Sequence, residues 1–158
     1  MIEIDDLEFR YEGDGFGLSV AELRIPAGET VALVGPSGCG KSTLLNLVAG
    51  IVTPCRGDIR VDGRELTLFD DAARRAFRIS SIGMVFQEFE LLDYLNVEEN
   101  ILLPFLLNSI QRPDHGARVD VNELAESLGL GTLLPRSIDR LSHGERQRVA
   151  IGRALITS

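Results

Sequence analysis

Gly35-Pro36-Ser37-Gly38-Cys39-Gly40-Lys41-Ser42 is the stretch on which the fold turns. It satisfies G-x-x-x-x-G-K-[ST], the loop whose backbone N–H groups cradle phosphates. The flanks agree. Thr30-Val31-Ala32-Leu33-Val34 reads as a buried strand, and Ser42-Thr43-Leu44-Leu45-Asn46-Leu47-Val48-Ala49 as a helix. A strand, a glycine loop and a helix N-terminus together form an anion site. The pattern aims Lys41 at the β- and γ-phosphates and offers the Ser42 hydroxyl to Mg²⁺, with Thr43 the next residue of the helix. The expectation is a nucleoside triphosphate site, in this chain or in something of which it is a piece.

Bulk composition narrows the classes. The chain has 158 residues, 44% hydrophobic and 25% charged, which is ordinary globular composition for one domain. A net charge of -8 argues against a nucleic-acid partner held by phosphate contacts. The most apolar run, Ile101 to Leu107, contains Pro104 and is too short to span a bilayer. Met1-Ile2-Glu3-Ile4-Asp5-Asp6 is acidic and does not read as a secretory leader. Cys39 and Cys55 lack metal spacing and read as reduced thiols. Cys39 lies in the phosphate loop, near a helix N-terminus that favours a thiolate, so its alkylation should block nucleotide binding.

Several further elements are legible. Residues 2 to 9 and Leu18 to Ile25 read as strands, with a turn at Pro26-Ala27-Gly28-Glu29. Gly57 to Val61 reads as a strand ending in a tight turn at Asp62-Gly63. A helix is expected over 70–78, and a buried strand over Ser81 to Phe86 with Gln87 at its end. Asn96 with Glu99 is an N-cap signature, and Ser142 with Glu145 forms a capping box before a helix running toward Leu155. Another helix suits 119–128 and stops at Gly129.

Leu141-Ser142-His143-Gly144-Glu145-Arg146-Gln147-Arg148 resembles the signature motif of ATP-binding cassette (ABC) ATPases. Its usual form is L-S-G-G-Q, so His143 and Glu145 depart from it. The resemblance implies that the Ser142 hydroxyl and nearby N–H groups face a γ-phosphate, while Gly144 keeps the backbone open to close approach. Tyr11, upstream of Gly35, matches the aromatic that stacks on adenine in this family. Gln87 matches the glutamine that approaches Mg²⁺ and the attacking water. The likeness runs from Ile2 to Ile156. The stretch around Phe86 to Pro104 looks most like the subgroup serving lipoprotein release, macrolide export and cell-division complexes.

The resemblance implies an α/β P-loop NTPase core with N-terminal antiparallel strands, a helical subdomain and an incomplete central sheet. The expected division is a core over 1–87 holding the Walker A loop and Gln87, a mostly helical subdomain over 88–140, and the signature with its helix over 141–158. It implies ATP and Mg²⁺ as cofactors, a second ATP-binding subunit in a homodimer sandwich, and transmembrane permease subunits touched by the segment 88–110. It places the protein on the cytoplasmic face of the inner or plasma membrane. The family's Walker B Asp and the catalytic Glu after it have no counterpart in these 158 residues. The chain thus reads as an N-terminal fragment of an ATPase, with very slow hydrolysis or none and marginal stability in isolation. A non-hydrolysing nucleotide-binding module from a truncated gene is the alternative. A DNA-acting ABC ATPase fits the acidic charge and the short interval between Gln87 and Leu141 less well, and a small P-loop kinase leaves Leu141 to Arg148 unexplained.

Overall fold

Strand alternation builds the first part of the chain. The computed structural model describes residues 1–13, 15–107 and 120–157, and its backbone contacts divide the chain into two units, Met1–Arg75 and Ala76–Ser158. The start of the helix expected over 119–128, and the end of the segment 88–110, lie outside the described residues.

In the first unit, β1 (Ile2–Arg10) pairs antiparallel with β2 (Gly17–Ile25) on one side and with β3 (Arg56–Val61) on the other. The short β4 (Arg64–Glu65) completes a sheet of order β2-β1-β3-β4. Ile4, Leu7 and Phe9 are buried, a spacing that strict alternation does not give. The register shift between Asp5 and Glu8 accounts for it, with Asp6 in the left-handed region (φ 45) as the extra residue of a bulge. Gly57 faces that bulge. A Cβ on it would lie 2.4 Å from the Asp6 carbonyl oxygen, so no larger residue fits. Asp62 and Gly63 both take positive φ, which makes the tight β3–β4 hairpin expected from Asp-Gly. Helix α1 (Lys41–Val48) buries Leu47, and Leu47, Ile59, Val61 and Leu66 join the β1 residues in the buried apolar set of this unit.

Two expectations are corrected. Residues 30–34 are not a strand, and neither are 82–86, while Ser81 closes helix α2 (Asp71–Ser81). Val34 is 88% exposed and Val31 54%; Val85 and Phe86 are exposed as well. The physical reason is that a strand exists through its ladder of hydrogen bonds to a neighbour. Neither segment belongs to the four-stranded sheet, and no other sheet is present among the described residues. The sheet is partial, as expected.

The second unit is helical. Helices α3 (Val97–Leu107), α4 (Val121–Ser127) and α5 (His143–Leu155) surround a core of Val97, Ile101, Leu124, Leu130, Ile138 and Val149. A Cβ at Gly152 would sit 3.3 Å from Ile101 side-chain carbons, so α3 and α5 approach closely there. Each start is capped by a side chain, at Asn96 and Ser142 as the sequence indicates and at Asp120 as the structure adds. Asn96 and Glu99 exchange side-chain-to-backbone bonds of 2.8 Å, the Asp120 carboxylate accepts from the Asn122 N–H, and Gly129 ends α4 at φ 65. Fully buried Asn100 is the polar pin of this unit. Its amide donates to the carbonyls of Leu92, Leu95 and Asn96, and its oxygen accepts from the Leu92 N–H at 2.9 Å. Replacing Asn100 by Ala orphans these groups and should cost about 1–3 kcal/mol. Chemical denaturation followed by helicity checks this; an unchanged midpoint would contradict the pinning role.

Candidate functional site

The phosphate loop is built on two glycines whose backbone conformation would strain any residue with a side chain. Gly38 has φ 79 and Gly40 φ 97, both left-handed. Gly40 is the N-cap of α1 and provides no side-chain cap, so the first N–H groups of the helix are left for a ligand or water. A Cβ at Gly40 would lie 2.9 Å from Phe16 Cζ, and one at Gly35 would lie 2.8 Å from Cys39 Sγ. The loop is therefore tight as well as left-handed. Lys41 Nζ donates to the carbonyls of Gly35 (2.9 Å) and Pro36 (2.7 Å), which folds its ammonium over the loop. Cys39 is exposed, with its Sγ 3.8 Å from that ammonium. Ser37 and Ser42 are exposed, and Thr43 is buried.

Tyr11 reaches this loop from the end of β1. Its hydroxyl is 3.4 Å from Thr43 Oγ1, and its ring stands edge-on to Phe9 with centroids 4.7 Å apart. Phe16 lies 6.3 Å from Tyr11, centroid to centroid. Tyr11 itself is partly exposed. An aromatic ring thus stands beside a helix start without a side-chain cap and beside one ammonium. Sequence reading supplied Tyr11 and the loop but missed Phe16, whose only signal would have been its apolar side chain between two strands.

Gln87 and the signature belong to the second unit. Gln87, Glu88, Phe89, Leu141, His143 and Arg146 line one cavity of about 950 Å³. Ser142 caps α5: its Oγ accepts from the Glu145 N–H at 3.4 Å, and the Glu145 carboxylate accepts from the Ser142 N–H (2.7 Å) and hydroxyl (2.6 Å). The exposed Ser142, His143 and Gly144 face solvent, where an anion would compete with Glu145 for the Ser142 hydroxyl. Among the described residues, no three His, Cys, Asp or Glu side chains gather as a metal site, and no helix is long and apolar enough to cross a membrane.

The description "ABC transporter" fits residues 18–158 of the sequence. The chain belongs to the ABC transporter family. It is 44% identical over 139 residues to the lipoprotein-releasing system ATP-binding protein LolD of Pseudomonas syringae pv. tomato, spanning 88% of this chain and 60% of that protein. It is 41% identical to the ABC transporter ATP-binding protein YvcR of Bacillus subtilis, covering 88% of this chain and 53% of the relative. The chain therefore spans a little over half the length of these relatives. Among solved structures, the ATP-binding cassette MJ0796, a dimer bound to ADP and Pi, superposes with a TM-score of 0.81 at 30% identity. That match covers 99% of this chain and 70% of the other, so the fold is that of an ABC cassette. The subgroup suggested by the sequence agrees with the LolD similarity.

The capping box has a pH signature. The Ser142 hydroxyl, then its N–H, holds the Glu145 carboxyl below its ordinary value of 4.5. Folding thus favours the ionised form. Its contribution is fully present above pH 4.5 and is lost as pH falls through the lowered folded value. Unfolding titrations between pH 7 and 3 should show a loss in the native protein that Glu145→Gln lacks. Equal acid sensitivity in both would contradict it.

Proposed function

We propose that this chain is the ATP-binding portion of an ABC transporter's nucleotide-binding subunit. The observation that carries the proposal is the uncapped start of α1 behind two left-handed glycines, with Lys41 over the loop and Tyr11 beside it. This cradle suits a triphosphate: free N–H groups and the ammonium match its charge, and the Tyr11 ring offers an apolar face to a base. Ser42 is the loop's hydroxyl ligand for Mg²⁺, and Gln87 is the second candidate. Mg²⁺, when bound, would neutralise charge on the β- and γ-phosphate oxygens.

In the assembled protein, residues 35–43 and Tyr11 of one subunit would hold the nucleotide. Ser142 and Gly144 of a second subunit would close on its γ-phosphate, with Leu141, His143 and Glu145 shaping that edge. The dimeric state of the related MJ0796 cassette supports this arrangement. Permease subunits would meet the second unit, whose exposed Tyr94, Leu106 and Leu107 supply apolar surface. The subunit would then work at the cytoplasmic face of the membrane. Hydrolysis needs a water-orienting carboxylate that this stretch of sequence does not supply, so the chain alone should bind ATP with little or no turnover.

Equilibrium binding of labelled ATP tests the reading. Lys41→Ala removes a charged donor and should weaken binding by about tenfold or more. Tyr11→Ala removes one stacking face and should weaken it by about two- to tenfold. A wild-type chain that is folded yet binds no ATP at millimolar concentration sinks the proposal. A second check uses the thiol. ATP should slow alkylation of Cys39, because the loop N–H groups and Sγ lie on the same short turn. Alkylated protein with undiminished ATP affinity would contradict this placement of the nucleotide.

A further inference from the structure

Past Gln87 the backbone does something unusual for residues with side chains. Phe89 (φ 63) and Glu90 (φ 48) are consecutive and left-handed, and neither is glycine. Such a pair persists only where its surroundings hold it. The holder is Arg153, in the last turn of α5. Its Nη2 donates to the Phe89 carbonyl at 2.5 Å and its Nη1 to the Glu90 carbonyl at 2.6 Å. Two carbonyls turned to one side match the planar fork of a guanidinium. The group is half-buried, and burial pulls its pKa down, opposed by the charge of Glu90. Among the described residues, no carboxylate lies within ion-pair distance of it, so the carbonyls are its partners.

Two more contacts tie the same segment to the same helix. A Cβ on Gly83 would lie 2.3 Å from the Ala154 carbonyl oxygen and 3.1 Å from its Cβ, so the backbone at Gly83 lies directly on the end of α5. At the other end, the Phe89 ring meets the His143 imidazole at a tilt, centroids 4.9 Å apart. His143 to Ala154 covers twelve residues of helix, roughly 17 Å of rise. The stretch from Gly83 to Glu90, with Gln87 inside it, is strapped along the helix that carries the signature motif.

We propose that Arg153 is a positioning residue: by gripping the Phe89 and Glu90 carbonyls it locks the Gln87 loop to α5, so that Gln87 and the signature end of the helix move as one body. A pull on Ser142 is then felt at Gln87 through a rigid helix rather than through a flexible loop. The consequence for nucleotide chemistry rests on the function proposed above; the mechanical link does not.

Nuclear magnetic resonance of the full chain tests the link. Arg153→Met keeps the stem's volume and removes the donors. Three signals should respond: the Gln87 side-chain amide shifts, the His143 imidazole shifts, and the amides of Glu88 to Leu92 exchange faster by about tenfold or more. Amides at the start of α3 should stay within about twofold. Arg153→Lys, which keeps a charged donor, should return the signals most of the way. The His143 shift reads the far end of the strap, because Phe89 both gives its carbonyl to Arg153 and packs on the imidazole. Unmoved Gln87 and His143 signals, or faster exchange spread evenly over the unit, would overturn the proposal. Should Arg153→Met fail to fold, the native chain decides: Glu88 to Leu92 and the last turn of α5 should open together under rising denaturant, and independent opening overturns it. ATP affinity on the same samples separates the two readings. It should be unchanged in Arg153→Met, since the nucleotide contacts proposed for Tyr11 and residues 35–43 include neither Arg153 nor the carbonyls it holds, and a tenfold loss would overturn a clamp of this kind. A wild-type chain without ATP binding would sink the nucleotide reading while the three signals still decide the clamp.

Discussion

Helix α1 begins on a glycine whose left-handed backbone brings no side-chain cap, so no capping oxygen satisfies its first N–H groups. Among the described residues, the starts of α3, α4 and α5 are closed differently. Asn96, Asp120 and Ser142 each use a side-chain oxygen to satisfy an orphan donor. The contrast singles out the start of α1 as the place where an outside anion would fit. Gly38 and Gly40 permit the turn, Phe16 limits the space behind Gly40, and Lys41 adds charge without leaving the loop. Partial positive charge at the helix end reinforces the preference for an anion.

The second unit is held together by other means. Its signature residues are held by a box in which Ser142 and Glu145 satisfy each other, and the rod behind them is fixed by apolar packing against α3. Glu145 gives this edge a negative charge where the family commonly has a neutral glutamine. Under the proposed function, a γ-phosphate closing on this edge would meet a carboxylate already bonded to the Ser142 hydroxyl. Arg153 links this rod to the loop of Gln87, and the left-handed pair at Phe89 and Glu90 is the backbone conformation that lets one guanidinium take both carbonyls.

What the sequence made legible was local. The Asn96 cap, the Ser142 capping box, the Gly129 stop and the Asp62-Gly63 turn each depend on residues within a few positions of one another, and each stands as expected. The segments 30–34 and 82–86 failed as strands because apolar runs record a wish for burial, whereas a strand also needs a neighbour to pair with. The bulge at Asp6 and its facing Gly57 were hidden for a related reason: the clash that demands glycine lies across the sheet. Arg153 was hidden furthest of all, since its partners are backbone oxygens more than sixty residues away and carry no side-chain signature.

The central claim is that the loop from Gly35 to Thr43, with Tyr11, holds a nucleoside triphosphate. Mapping amide shifts of the chain during an ATP titration tests it at the atoms involved. The account expects the N–H signals of Gly38, Cys39, Gly40, Lys41 and Ser42 to move together, saturably, with the Tyr11 ring signals following the same curve. Saturable shifts confined to other residues, or no shifts in a folded chain, would contradict it.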